Sequence, residues 1–189
     1  MKKNLNKILF ILFLLNLHIF GAEIDIEGRS AAFFHSSKHF RDTYGNVGGC
    51  YAIEASTTLE DCWSGWANLD WFSRRGHSVW IWHDDRTRVK IANLSVGIKY
   101  DFKLNDRFTA YIGIGPSLAR VSMKNKWEIV HHHFSKFAFG GIAKGGFDYF
   151  MTDYIFLNFF VDYLYQPVHF HSRMDIGGTK VGGGIGIRF

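Results

Sequence analysis

The sequence predicts an all-β fold, an eight-stranded antiparallel up-and-down transmembrane β-barrel, and three observations predict it. After residue 22, apolar and polar residues alternate with a period of two almost throughout, and helical three-four spacing is sustained nowhere. The connections between alternating segments are short and long by turns, as in hairpins that cross a layer and return. The composition of 19 Phe and 20 Gly with only 2 Pro in 189 residues suits a narrow interior of small side chains, an apolar face and few ladder breaks.

The chain holds one domain behind a leader, residues 1–22 and 23–189. Met1 to Lys7 is basic, Ile8 to Phe20 is apolar, and Phe20-Gly21-Ala22 precedes Glu23, which together read as a secretory signal peptide cleaved near Ala22. The apolar run is shorter than the about 20 residues a spanning helix needs. Three lysines fall in this leader, so the formal +5 of the whole chain is mostly lost on maturation. The basic balance therefore does not argue for nucleic acid, and no nucleic-acid motif is present.

The first strand runs from Ile24 to about Phe34, with Ile24, Ile26, Gly28, Ala32 and Phe34 opposite Asp25, Glu27, Arg29 and His35. The second, about Val47 to Leu59, sets Tyr51, Ile53 and Leu59 against Glu54, Ser56 and Thr58. The third, about Trp63 to Ser73, sets Trp63, Leu69 and Trp71 against Ser64, Asn68 and Asp70. In the fourth, about Arg88 to Phe102, Val89 and Ile91 are out of phase with Leu94, Val96, Ile98 and Tyr100, and a β-bulge near Ala92 and Asn93 is expected. The fifth, about Phe108 to Val121, contains Pro116, which lacks a ladder donor, so a bulge or broken bond is expected there. The sixth (about Phe134 to Phe150), seventh (Tyr154 to Gln166) and eighth (ending at Phe189) alternate cleanly. Long connections lie at about 36–46, 75–87, 122–135 and 167–175.

Alternation alone does not say which face is inside. The glycines of the fifth and eighth strands share a face with Lys180 and Arg188, and an eight-strand interior has room only for a well-packed set of side chains. The polar face is therefore inside, and the apolar one, which would be intolerably exposed in water, meets lipid. Laid antiparallel, Asp162 falls opposite both Lys180 and Lys144, and Arg188 falls near Asp25. These five residues form a predicted lumen charge cluster that plugs the barrel, since buried charges persist only when compensated. Cys50 and Cys62 lie at opposite ends of the second strand, about 30 Å apart at 3.3 Å per residue, so two free thiols are expected, with Cys50 beside Trp71 or Phe72.

The leader, the eight amphipathic segments and the ending Val181-Gly182-Gly183-Gly184-Ile185-Gly186-Ile187-Arg188-Phe189 resemble the small eight-stranded bacterial outer-membrane β-barrel superfamily, typified by the transmembrane domain of outer-membrane protein A. The resemblance implies location in the outer membrane. It also implies that Ile185, Ile187 and Phe189 form the assembly signal read by the barrel-assembly machinery. No cell-wall-binding domain follows Phe189, so no tether of that kind is expected.

All nine histidines after the leader lie in or beside the long connections, which with the flanking Arg74, Arg88, Lys90 and Lys136 carry 11 Lys/Arg against 5 Asp/Glu. That end is basic. Arg74, Arg75, Arg86, Arg88, Lys124 and Lys126 would form a rim suited to lipopolysaccharide phosphate. Of the histidines, His131 with His133 and His169 with His171 share a face on extended chain and are the pairs that could hold Zn²⁺ or Cu²⁺; no metal and no cofactor is assigned. The expected function is a surface protein with a structural or interaction role, through basic, His-rich loops above a plugged lumen, toward lipopolysaccharide and an unspecified host or surface partner. One alternative is a lipid A-modifying enzyme of deacylase or acyltransferase type, for which His169-Phe170-His171-Ser172 has the wrong His-to-Ser spacing and no Glu following. Another is a narrow channel or a soluble ligand-binding barrel.

Overall fold

The computed structural model describes residues 23–38, 41–42, 45–80, 83–126, 131–169 and 173–189, with side chains described outside 75–88, 123–134, 169 and 173–174. Strands β1 (Ile24–His35), β2 (Val47–Glu60), β3 (Trp63–Trp80), β4 (His83–Lys103), β5 (Phe108–Lys126), β6 (His131–Phe150), β7 (Ile155–Tyr165) and β10 (Gly178–Arg188) form one closed barrel. A small hairpin of β8 (Pro167–His169) and β9 (Arg173–Asp175) lies between β7 and β10. Each barrel strand pairs antiparallel with its chain neighbour, and β10 closes on β1 from Asp25↔Arg188 to His35↔Gly178. The predicted fold class is the observed one.

Burial follows the two-residue period. In β2, Glu54 and Ser56 are buried while Tyr51 and Ile53 are more than half exposed, and in β7 Phe156, Asn158, Phe160, Asp162 and Leu164 are buried while Phe159, Val161 and Tyr163 face out. The outer wall is thus a belt of aliphatic and aromatic side chains. At the short-turn end it finishes in a girdle where Trp63 meets Tyr100 at 5.1 Å, Tyr100 meets Phe102 at 4.8 Å and Phe108 meets Tyr149 at 4.8 Å between ring centroids, the usual flank of a lipid-facing band.

The expected bulge at Ala92 and Asn93 is absent. The β3–β4 register runs unbroken from Trp63↔Tyr100 to Trp80↔His83, so Val89 and Ile91 point inward with Asn93 and Ser95 and are buried. The phase change is real in hydropathy and not in the backbone, because the upper lumen is apolar. At Pro116 the expected break is present as a gap without slippage: β4 and β5 pair up to Ser95↔Ser117 and again from Ile98↔Ile114. Leu104 N–H donates to Phe108 O, so even-numbered β5 residues turn their backbone groups toward β4, and the N–H that Pro116 lacks is one β4 would have used.

Strands β3 to β6 are longer than the alternation indicated. β3 continues to Trp80 and β6 begins at His131, whereas β2 meets β3 only up to Cys50↔Phe72 and β7 meets β6 only up to Gly141↔Tyr165. The spans expected as two long connections are largely a four-stranded extension standing beyond the rest of the barrel. The basic and His-rich sequence of these segments lacks the sustained two-residue alternation of the lower strands, which concealed their strand character.

Candidate functional site

The lumen is built in three layers, each supplied by inward positions of several strands. Nearest the short turns is an open polar vestibule of about 450 Å³, whose lining includes Asp25, Lys99, Asp101, Asp148 and Arg188. Here Arg188 holds Asp25 in a bidentate pair, with Nε 2.8 Å from Oδ1 and Nη2 2.8 Å from Oδ2. Ser64 donates to Asp101. Lys99, buried, donates to Ser56 Oγ at 3.1 Å and stands 5.1 Å from the Tyr111 ring centroid.

The middle layer is ionic. Glu54 is its hub, accepting from Arg29 Nη1 at 2.7 Å and Asn68 Nδ2 at 3.0 Å, and from the Lys144 ammonium. Arg29 also reaches Asp162 at 3.2 Å and Glu27 at 3.2 Å. Lys180 donates to Asp70 at 2.7 Å, and Asn93 donates to the same carboxylate at 3.1 Å. All of these residues are buried. Two of the layer's cations lie close over inward aromatic rings: Arg29 Cζ stands 3.5 Å from the Phe160 centroid and Lys144 Nζ 4.3 Å from that of Trp66. Such contacts stabilise a cation removed from water without adding an acid.

Above lies an apolar layer made by Phe33, Phe72, Val89, Ile91, Val121 and Leu164 with their neighbours. Val168 and Ile176, from the β8–β9 segment, fold over it and are buried. Asp175 pins that segment: its Oδ1 accepts from the backbone N–H groups of Gln166 and Gly177, each at 2.9 Å, and its Oδ2 from Ser36 Oγ at 2.8 Å. Large inward rings are accommodated because glycines face them. A side chain at Gly48 would strike the Phe72 ring, one at Gly97 the Trp66 ring, and one at Gly186 the Phe156 ring.

The predicted site residues distribute as follows. Register sets Lys180 opposite Asp162, Lys144 opposite Asp162, and Asp25 opposite Arg188. The ion pairs differ from the register for the first two: Lys180 reaches across the lumen to Asp70 and Lys144 to Glu54, while Asp162 meets Arg29. Long lysine stems in a narrow barrel span to the far wall more easily than they fold onto an adjacent strand. Asp25 and Arg188 sit apart, in the vestibule. Glu27, Arg29, Glu54 and Asp70 belong to the ionic layer and were missed; the alternation had placed them on the inward face, but only the closed cross-section shows what they meet.

Of the rim, Arg74 is half-buried, with its guanidinium against Gly45 and Gly48. The backbones of Arg75, Arg86, Arg88, Lys124 and Lys126 lie on the β3–β6 extension, and their side chains lie outside the described residues. The same holds for the side chains of His131, His133 and His169, while His171 and Ser172 are wholly outside them. Ile185, Ile187 and Phe189 are exposed on the outer wall, 56%, 48% and 57% accessible. Cys50 and Cys62 are both free, and Cys50 lies opposite Phe72.

Solved structures with this barrel include neisserial surface protein A (17% identity, TM-score 0.61, covering 89% of this chain and 97% of that one) and OprG of Pseudomonas aeruginosa (14%, 0.67, 89% and 96%). A third is Ail of Yersinia pestis, at 11% identity and TM-score 0.59, covering 89% and 99%. At these identities the likeness is one of fold. Among curated protein sequences none matches significantly. A family model described as "Outer membrane protein beta-barrel domain" matches residues 19–189, so nearly the whole chain is accounted for by one family. With a closed eight-stranded barrel, a lipid-facing apolar wall and a filled polar lumen, the chain belongs to the outer-membrane β-barrel domain family and is a small outer-membrane protein.

Proposed function

We propose that this protein is a surface receptor for phosphate- or sulfate-bearing polyanions, lipopolysaccharide first among them, held in the outer membrane by a barrel that does not conduct. The observation that carries the reading is the contrast between the two ends. Among the described residues the lumen holds an ionic and an apolar layer, which supports a barrel that does not conduct. The outer end is a raised sheet rich in Lys, Arg and His, with Arg74, Arg75, Arg86, Arg88, Lys124 and Lys126 on or beside it. Anionic groups of the outer leaflet lie at that height, and guanidinium groups bind them bidentately. Ail, of the same fold, was crystallised with the heparin analogue sucrose octasulfate, which supports a polyanion as the ligand class. On this reading Ile185, Ile187 and Phe189 serve assembly, as the terminal strand that completes the barrel.

Binding of purified lipopolysaccharide to the protein in nanodiscs tests the proposal. Affinity should fall steadily as salt is raised, since exposed ionic contacts are screened, and the R74Q/R75Q double variant should bind several-fold more weakly. Binding indifferent to both changes would remove the proposal.

A further inference from the structure

Among the described residues the raised sheet has an open side. β6 pairs with β5 along its whole length, from Phe108↔Tyr149 to Lys126↔His131, without a register shift, but β7 accompanies it only as far as Gly141. Residues 131–140 therefore stand one strand beyond the barrel wall, about 30 Å of chain at 3.3 Å per residue. β8 lies beside the lower end of this stretch. Higher up, no described strand pairs with the outer edge.

The direction of the backbone groups follows from the turns below. Phe150 N–H donates to Arg107 O at 2.8 Å, and Met151 N–H donates to Ile155 O at 2.9 Å. Even-numbered β6 residues thus face β5 and odd-numbered ones face the β7 side. With the register unbroken, the N–H and C=O groups of residues 131, 133, 135 and 137 point away from the sheet. Edges are normally guarded by proline, a bulge, a short strand or charged side chains; this stretch has no proline and no bulge, and one lysine, Lys136. Phe137 and Phe139 lie along it with 69% and 70% of their surface exposed.

We propose that this edge of β6 docks an extended acidic polypeptide segment by strand addition. Backbone bonds would supply affinity and the alternating side chains selectivity. The acidic character follows from charge: residues 131–140 contain no Asp or Glu but include three His and the exposed Lys136, and residues 73–80 of β3, beyond its pairing with β2, hold Arg74 and Arg75 and likewise no acid. A second copy fits poorly. In one membrane two β6 edges run the same way and would have to pair parallel, and an antiparallel β6-to-β3 contact would join two basic edges.

The probe is a ten-residue peptide alternating Val and Glu, added to the full chain in nanodiscs and compared with its N-methylated counterpart of equal charge and with a heparin fragment. The parent peptide should bind, and the N-methylated form should bind at least tenfold more weakly. Ser135→Pro removes one outward N–H and should weaken the parent peptide about tenfold, whereas Ser135→Ala, which loses the same hydroxyl contact from Arg120, should not. Heparin binding should be equal in both variants. Equal binding of the two peptides, or no binding of the parent, overturns the proposal, and the peptide comparison stands even if Ser135→Pro fails to assemble. Because heparin reports on the polyanion site alone, loss of heparin binding with peptide binding retained would count against that function and not against the edge.

Discussion

At the scale of single residues the lumen is decided by compensation. Glu54 is fully enclosed and accepts from Arg29, Asn68 and Lys144, so neutralising it takes from Lys144 the carboxylate it is paired with and leaves Arg29 to Asp162 and Glu27. Breaking such a network by removing one partner typically destabilises by about 3–5 kcal/mol, whereas a partly exposed pair contributes about 1 kcal/mol or less. Glu54→Gln should therefore lower the denaturant midpoint of the detergent-folded barrel far more than Asp25→Asn, whose partner Arg188 keeps 30% of its side chain in solvent. Equal effects would mean that water reaches the middle layer and screens it.

At the scale of elements, the gap between β4 and β5 is the one interruption in either strand's ladder, and it has a single cause. Pro116 turns the position of its missing donor toward Val96, while Gly97 and Gly115 beside it bring the two backbones close enough that a side chain on either would strike the other strand. Pro116→Val would restore the donor on a side of the chain that already faces out. The residue 116 amide should then be protected from hydrogen exchange and that of Val96, which faces it, should exchange more slowly, with a gain of about 1 kcal/mol for the added bond. Unchanged exchange would show that the glycines, and not the proline, hold the strands out of pairing. β10 illustrates a different rule: its run of glycines makes room for the Phe156 ring on one side and the Arg29 stem on the other, so a strand that looks weak alone is what lets its neighbours carry large side chains.

For the whole molecule, layering converts a polar-lined tube into a closed body. Above the open vestibule, the described side chains of the Glu54 network and of the apolar layer under the β8–β9 hairpin are buried one above the other. In planar bilayers the protein should show no stable conductance. A steady open level would contradict the two layers together. Beyond these layers the β3–β6 strands continue past the ends of their β2 and β7 neighbours.

Much of this was present in the sequence itself. A period of two with a side-chain size difference between the faces determined the barrel, its strand count and its inside, because each inward position must fit a confined cross-section. Cys50 beside Phe72 followed from hairpin register, which is local and additive along the chain, and the Asp25–Arg188 pairing from closing the last strand on the first. The tertiary structure decided what no register contains. Lys144 chose Glu54 and Lys180 chose Asp70 over the facing Asp162 because their stems cross the lumen, and that distance exists only once the sheet has closed. Val89 and Ile91, read as a slip of phase, became an apolar seal because inward positions high in the barrel meet one another and the β8–β9 hairpin. Alternation records which side a residue faces, and closure determines what is waiting there.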